Sequence, residues 1–171
     1  AKFGSIKRAA VINDPSSSNR RLSLYVISTN SNGNLEISNS TVKNNVKTWL
    51  KQKKMLNDSI DIYDPYIINV GFTFYISVES TYDKQVVLND CFNRLNSMFS
   101  DKMYIGEPLY IANIYKELNK LEGVIDVQNV VFSIKNAANY ASSPISIQEL
   151  LSNDGTYLKT PKNAILEIKY P

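Results

Sequence analysis

Residues 66–80, YIINVGFTFYISVES, alternate apolar and polar side chains almost throughout. A run of that period is satisfied by a long strand with one buried face. Tyr66, Ile68, Val70, Phe72, Phe74, Ile76 and Val78 point one way; Asn69, Gly71, Thr73, Tyr75, Ser77 and Glu79 point the other. The Gly-Phe-Thr-Phe segment has the look of an RNA-recognition strand, in which exposed rings stack on bases. The alternation argues against that. With Phe72 and Phe74 in solvent, the core would receive Thr73, Tyr75 and Ser77, and burying unpaired hydroxyls is costly. No lysine or arginine lies between Asp58 and Asp83 to hold a phosphate backbone. The run is predicted to be a core strand with its rings inward, and Gly71 marks a bulge or the close approach of a neighbour.

The segments around this strand supply more sheet and its cover. LSLYVIST (22–29) reads as a strand, Asn32-Gly33 as a type I′ turn, and LEIS (35–38) as the returning strand. Ser40 is a good N-cap for a helix whose buried stripe is Val42, Val46, Trp49 and Leu50. Lys43, Lys47, Lys51 and Lys54 share an adjoining face of it with no acid between them. Asp83 caps a second helix reaching about Phe99, with Val87, Leu88, Cys91, Phe92, Leu95, Met98 and Phe99 on its apolar side. Gly106-Glu107-Pro108 opens a third, striped by Ile111, Ile114, Tyr115, Leu118 and Leu121 and ended by Gly123. VIDVQNVVFSI (124–134) is a strand, ISIQELL a short helical piece, Asp154-Gly155 a turn, and AILEIKY (164–170) the last strand. The expected fold is α+β: a small mixed β-sheet with about three main helices packed on one face. Residues 1–20, rich in turn formers and in Lys2, Lys7, Arg8 and Arg20, read as a connector or arm, and 21–171 as a single domain.

Composition removes several chemistries. The chain has no histidine and one cysteine, so it has no imidazole base, no internal disulfide and no thiolate metal cluster. Cys91 falls on an apolar helix face and reads as a buried structural thiol. Asp58, Asp61 and Asp64 could form a weak hard-cation site, but lack the glycine and terminal glutamate of a calcium loop and read as solvated acids. No phosphate-binding or dinucleotide fingerprint is present. No catalytic, cofactor-binding or metal residue is assigned; a lysine-based or carboxylate-only enzyme stays open with nothing converging on it. No apolar run approaches the roughly 20 residues of a membrane span. A net charge of +3 does not demand nucleic acid. The informative residues are tyrosines, which offer area with a polar handle. Tyr75, Tyr157 and Tyr170 are interface candidates, as are Lys43, Lys47 and Lys51. The last three, with the basic arm, also support an alternative nucleic-acid-binding module.

Residues 103–130, MYIGEPLYIANIYKELNKLEGVIDVQNV, carry a more specific pattern. Gly106, Leu109, Ile114, Leu118, Leu121, Gly123, Val124, Val127 and Val130 follow a long strand and an amphipathic helix. The arrangement resembles the J-type baseplate family of contractile phage tails, which includes the baseplate wedge proteins of T-even-like phages. FTFYISVES, the helices from Thr41 and Asp83 and the closing ILEIKY extend the resemblance over about 21–171; residues 1–20 do not match it and 137–163 match it loosely. The resemblance implies a structural wedge subunit of the virion tail baseplate, made in the host cytoplasm. It implies assembly as a homodimer and with other wedge proteins into an inner ring that rearranges during sheath contraction. It implies no enzyme activity and no small-molecule substrate. The abrupt start, AKFGSIKRAAV without an initiator Met, fits the C-terminal part of a longer protein.

Overall fold

The structure, a computed structural model, describes residues 5–13, 21–53, 59–100, 103–136 and 145–169. The chain divides into two compact units: residues 1–67, 104–106 and 161–165, and residues 68–103, 107–160 and 166–171.

In the first unit, β1 (Ile6–Asn13), β2 (Arg21–Thr29), β3 (Leu35–Ile37) and β4 (Ser59–Tyr63) form one sheet centred on β2. β1 lies antiparallel along one edge of β2, from Ile6 opposite Ser28 to Asn13 opposite Leu22. β3 and β4 share the other edge, β3 antiparallel to Ile27–Thr29 and β4 parallel to Arg21–Tyr25. The helix α1 (Ser40–Lys51) follows β3 and sets Val46 and Leu50 against Leu24, Val26, Ile60 and Ile62. Its cap is Asn39 rather than the expected Ser40; Asn39 Oδ1 accepts from the Thr41 N–H at 2.8 Å. Such a cap contributes about 1 kcal/mol.

Two expectations for this unit need correction. Ile6–Asn13, expected in a connector, is a paired strand. Ile6, Arg8, Ala10 and Ile12 are half-buried and Lys7, Ala9, Val11 and Asn13 exposed, so its period of two is real. Both faces mix apolar and polar residues, and that hides the period in the sequence. Asn32-Gly33 turns the chain, but not as type I′. Only Gly33 is left-handed, at φ +79. Its N–H donates to the Asn30 carbonyl at 3.0 Å, while Asn30 Oδ1 accepts from the N–H groups of Asn32 and Asn34 at 3.0 Å each. This is the pattern of a type I turn closed by a left-handed glycine.

The remaining elements are β5 (Tyr66–Val78), α2 (Lys84–Phe99), β6 (Leu109–Tyr110), α3 (Ile111–Leu118), β7 (Val124–Ile134), α4 (Ile147–Leu150), β8 (Tyr157–Leu158) and β9 (Ala164–Ile168). β7, β5 and β9 form a sheet in that order, and β6 pairs with β8. The α+β expectation holds, with the strands divided among three sheets. In the second unit β5 and β7 turn Phe72, Phe74, Ile76, Val127 and Val130 toward one core. There α2 contributes Val87, Cys91 and Leu95, and α3 contributes Ile114 and Leu118. Full burial of each such aliphatic side chain stabilises by about 1.5–3 kcal/mol. Asp83 caps α2 as predicted, accepting from Gln85 N–H at 2.7 Å and Val86 N–H at 3.3 Å.

The long strand departs from simple alternation at its beginning. Ile68–Phe72 are buried throughout, and exposed positions alternate only from Thr73 onward. Gly71 is not bulged: it pairs in regular register with Ser133. A Cβ there would run into the Lys135 side chain and lie 3.1 Å from the Lys169 carbonyl oxygen, so close approach explains the glycine. The third helix starts later than predicted because Leu109 and Tyr110 are taken by β8, and the Ile111 N–H donates to the Thr156 carbonyl at 3.0 Å. Gly123 does not cap α3, which ends at Leu118; it is the left-handed residue that leads into β7.

Candidate functional site

Tyr75 lies on the face of β5 opposite the helices and is 53% exposed. Cross-strand pairing sets it beside Asn129, and its neighbour Thr73 beside Val131, which is also exposed. The Gln128 side chain donates to Ser77 Oγ at 2.8 Å along the same strand pair. The result is an outward patch of tyrosine, valine and short polar side chains, with no formal charge among Thr73, Tyr75, Asn129 and Val131. β7 reaches it through two bulges, at Gln128 and Ile125, where the register with β5 shifts. Bulges bend and twist an edge strand, and this one is kinked next to the patch.

Tyr157 occupies a different surface of the same unit. It pairs with Tyr110 across β6 and β8, ring centroids 5.4 Å apart at 39°. Its backbone is held by buried Ser152, whose Oγ accepts from the N–H groups of Thr156 at 3.0 Å and Tyr157 at 3.1 Å. The same hydroxyl donates to Asp154 Oδ1 at 2.6 Å. Hydrogen bonds to the carboxylate from the Ser152 hydroxyl first, then from Thr156, hold the Asp154 carboxyl below its ordinary pKa. Tyr170 lies outside the described residues.

Tyr110 also borders a groove of about 350 Å³ between the end of α2, Met103 with residues 107–110, and α3. Met98, Phe99 and Leu109 give it an apolar wall; Arg94, Lys116 and Glu117 give it a charged rim. Glu117 accepts from Arg94 and, at 2.8 Å, from Lys120. Hydrogen bonds from Lys120 first, then Arg94, hold its carboxyl below the usual glutamate range. This clasp ties α2 to α3 across the rim. No sequence reading singled it out, because its partners are 23 positions apart and neither belongs to a motif.

In the first unit, the lysines of α1 are not the acid-free row that the sequence suggested. Lys43 Nζ binds both carboxylate oxygens of Asp64, at 2.7 and 3.0 Å. Lys47 Nζ lies 3.9 Å from Asp61, which also faces Arg21 at 3.8 Å. Lys51 is exposed, beside Leu50 and Ile60. The acids come from β4 and the turn after it, elements remote in sequence that pairing brings alongside. The hard-cation reading of Asp58, Asp61 and Asp64 fares no better. Asp61 and Asp64 face these cations, Asp58 and Lys54 lie outside the described residues, and among the described residues no group of three potential ligands gathers.

Cys91 is fully buried, and burial first, then the Asp90 charge, pushes its thiol pKa up, away from reactivity. Among the described residues no helix is long and apolar enough to cross a membrane. Tyr75 and Tyr157 stand on separate surfaces of the second unit, and the three lysines belong to the first. The surfaces offer tyrosine rings, a groove and neutralised charge, which suit contact with protein more than chemistry on a small molecule.

No protein-family model matches the sequence, and no curated protein matches it. Among solved structures, the chain is similar to one in the cryo-EM structure of the anti-feeding prophage (AFP) baseplate, 6-fold symmetrised, at a TM-score of 0.59 and 11% identity. The match covers 98% of this chain and 34% of that one, so this chain spans about a third of its length. At that identity the likeness is one of fold.

Proposed function

We propose that the chain is a structural subunit of a contractile-tail baseplate, working through protein–protein surfaces rather than catalysis. The carrying observation is the fold likeness to a baseplate chain over 98% of the residues. Fold alone does not fix function, but two further observations point the same way. The resemblance of residues 103–130 to the J-type family falls on Leu109, Ile114, Leu118, Val127 and Val130, all core residues of the second unit. The exposed surface of that unit carries tyrosines and a groove. In this reading the protein is a J-type wedge subunit of the virion tail. It self-associates, joins other wedge proteins in an inner ring, and shifts with that ring when the sheath contracts.

The nucleic-acid alternative loses support from the pairing of Lys43 and Lys47 with Asp64 and Asp61. Phosphate binding would first have to break those pairs. Immunogold labelling of purified tailed particles from the source tests the proposal. Label confined to the baseplate end is expected; particles unlabelled after partial disassembly would overturn it.

A further inference from the structure

β1 is the outer strand of its sheet, and among the described residues β2 is its one strand partner. A free edge presents a row of backbone donors and acceptors, which other strands can complete. Chains blunt such edges with short strands, bulges, proline or charge. The other outer strands use these devices: β7 carries two bulges, β4 and β9 have 5 residues each, β3 has 3, and β6 and β8 have 2 each. β1 does so only at its start, where Lys7 and Arg8 sit beside a register shift between Ile6 and Arg8. Arg8 is turned back onto its own unit, its guanidinium 4.8 Å from the centroid of the Tyr104 ring. From Arg8 to Asn13 the register is regular, and residues 9–13, AAVIN, carry no charge, proline or glycine. Val11, at the middle of that stretch, is 61% exposed.

We propose that β1 pairs antiparallel with β1 of a second copy of this chain, about a two-fold axis at Ala10. This rests on the self-association in the reading above, and names the surface. Antiparallel partners must share a face, so the two-fold must fall at a residue position. Centred on Ala10, the pairing sets Ala9 opposite Val11 and Arg8 opposite Ile12, all within the regular stretch. It opposes no like charges, puts the smallest side chains at the axis and uses the regular stretch. Centring on Ala9 would instead carry the pairing through the register shift. The pairing joins two β1–β4 sheets into one and removes the apolar edge from solvent.

Three variants of this chain test it, read by sedimentation over about 1–100 μM and by non-reducing electrophoresis. In Ala10→Cys the axial residues face each other with Cα atoms about 4.5–5.5 Å apart, within disulfide range. Mild oxidation should therefore link the dimer. In Ile12→Cys the two thiols are four positions out of register, about 13 Å along the strands, and should not link. Native Cys91 is buried and does not compete. Val11→Lys, at an exposed site, should raise the dimer dissociation constant about tenfold or more by bringing lysines together diagonally; far-ultraviolet circular dichroism verifies its fold. A dimer that neither links through Ala10→Cys nor weakens with Val11→Lys overturns this surface and leaves self-association standing. A wild-type monomer throughout overturns the pairing and the self-association together, while particle labelling judges the baseplate role separately.

Discussion

Single residues set the geometry where elements meet. Gly123 has φ +82, and a Cβ there would lie 2.8 Å from both Tyr82 Cγ and Val87 Cγ2. Only glycine both adopts that conformation and leaves the start of α2 room beside β7. Glu117 joins two helices by accepting from Arg94 and Lys120. Its folded pKa is depressed, so its contribution is present in full above the unfolded value, roughly 4.3, and is lost as pH falls through the lower folded value. Glu117→Gln should therefore be less stable than wild type at neutral pH, with a gap that is flat down to about pH 5 and closes below it. Urea melts at a series of pH values measure this; a gap independent of pH down to acid denaturation would show that the carboxylate charge contributes nothing. The clasp was illegible in the sequence for a physical reason: opposite charges on two helices announce nothing until packing sets their faces together.

At the scale of elements, legibility followed local contrast. The long run from Tyr66, the helix capped by Asp83 and the strand Val124–Ile134 were readable because period, cap and β-branching agree. β1 was not, since apolar side chains fall on both its faces. β6 and β8 are two residues each and exist through each other, a non-local pairing that no window of sequence contains. The lysine face of α1 was readable as a row of charges, but its acids arrive from β4 only once the parallel pairing forms. The Tyr75 patch was foreseeable as the one large ring on the polar side of β5; the groove beside Tyr110 was not. α2 sets Val87, Cys91 and Leu95 into the core of its unit. Leu95 is wholly buried there, and Leu95→Ala should cost about 2–5 kcal/mol. Chemical denaturation measures it, and a loss under about 1 kcal/mol would mean that α2 is not held by this core.

For the whole molecule, the two units concentrate different resources. The first has an outer strand that carries no charge from residue 9 to residue 13, and exposed Tyr63, Tyr66 and Tyr104; the second has exposed Tyr75 and Tyr110, a groove and a kinked edge strand. Neither gathers a set of titratable groups poised for chemistry among the described residues. The fold class was open to reading because it needs only the order and type of elements. The division of the strands into three sheets was not, because pairing partners are set by long-range contacts. The central claim is that the chain builds a baseplate. Deleting its coding sequence from the source genome and imaging the particles by negative stain tests that most directly. The account predicts tails without baseplates, restored by the intact gene supplied in trans. Deletion particles with complete baseplates that still contract would contradict it.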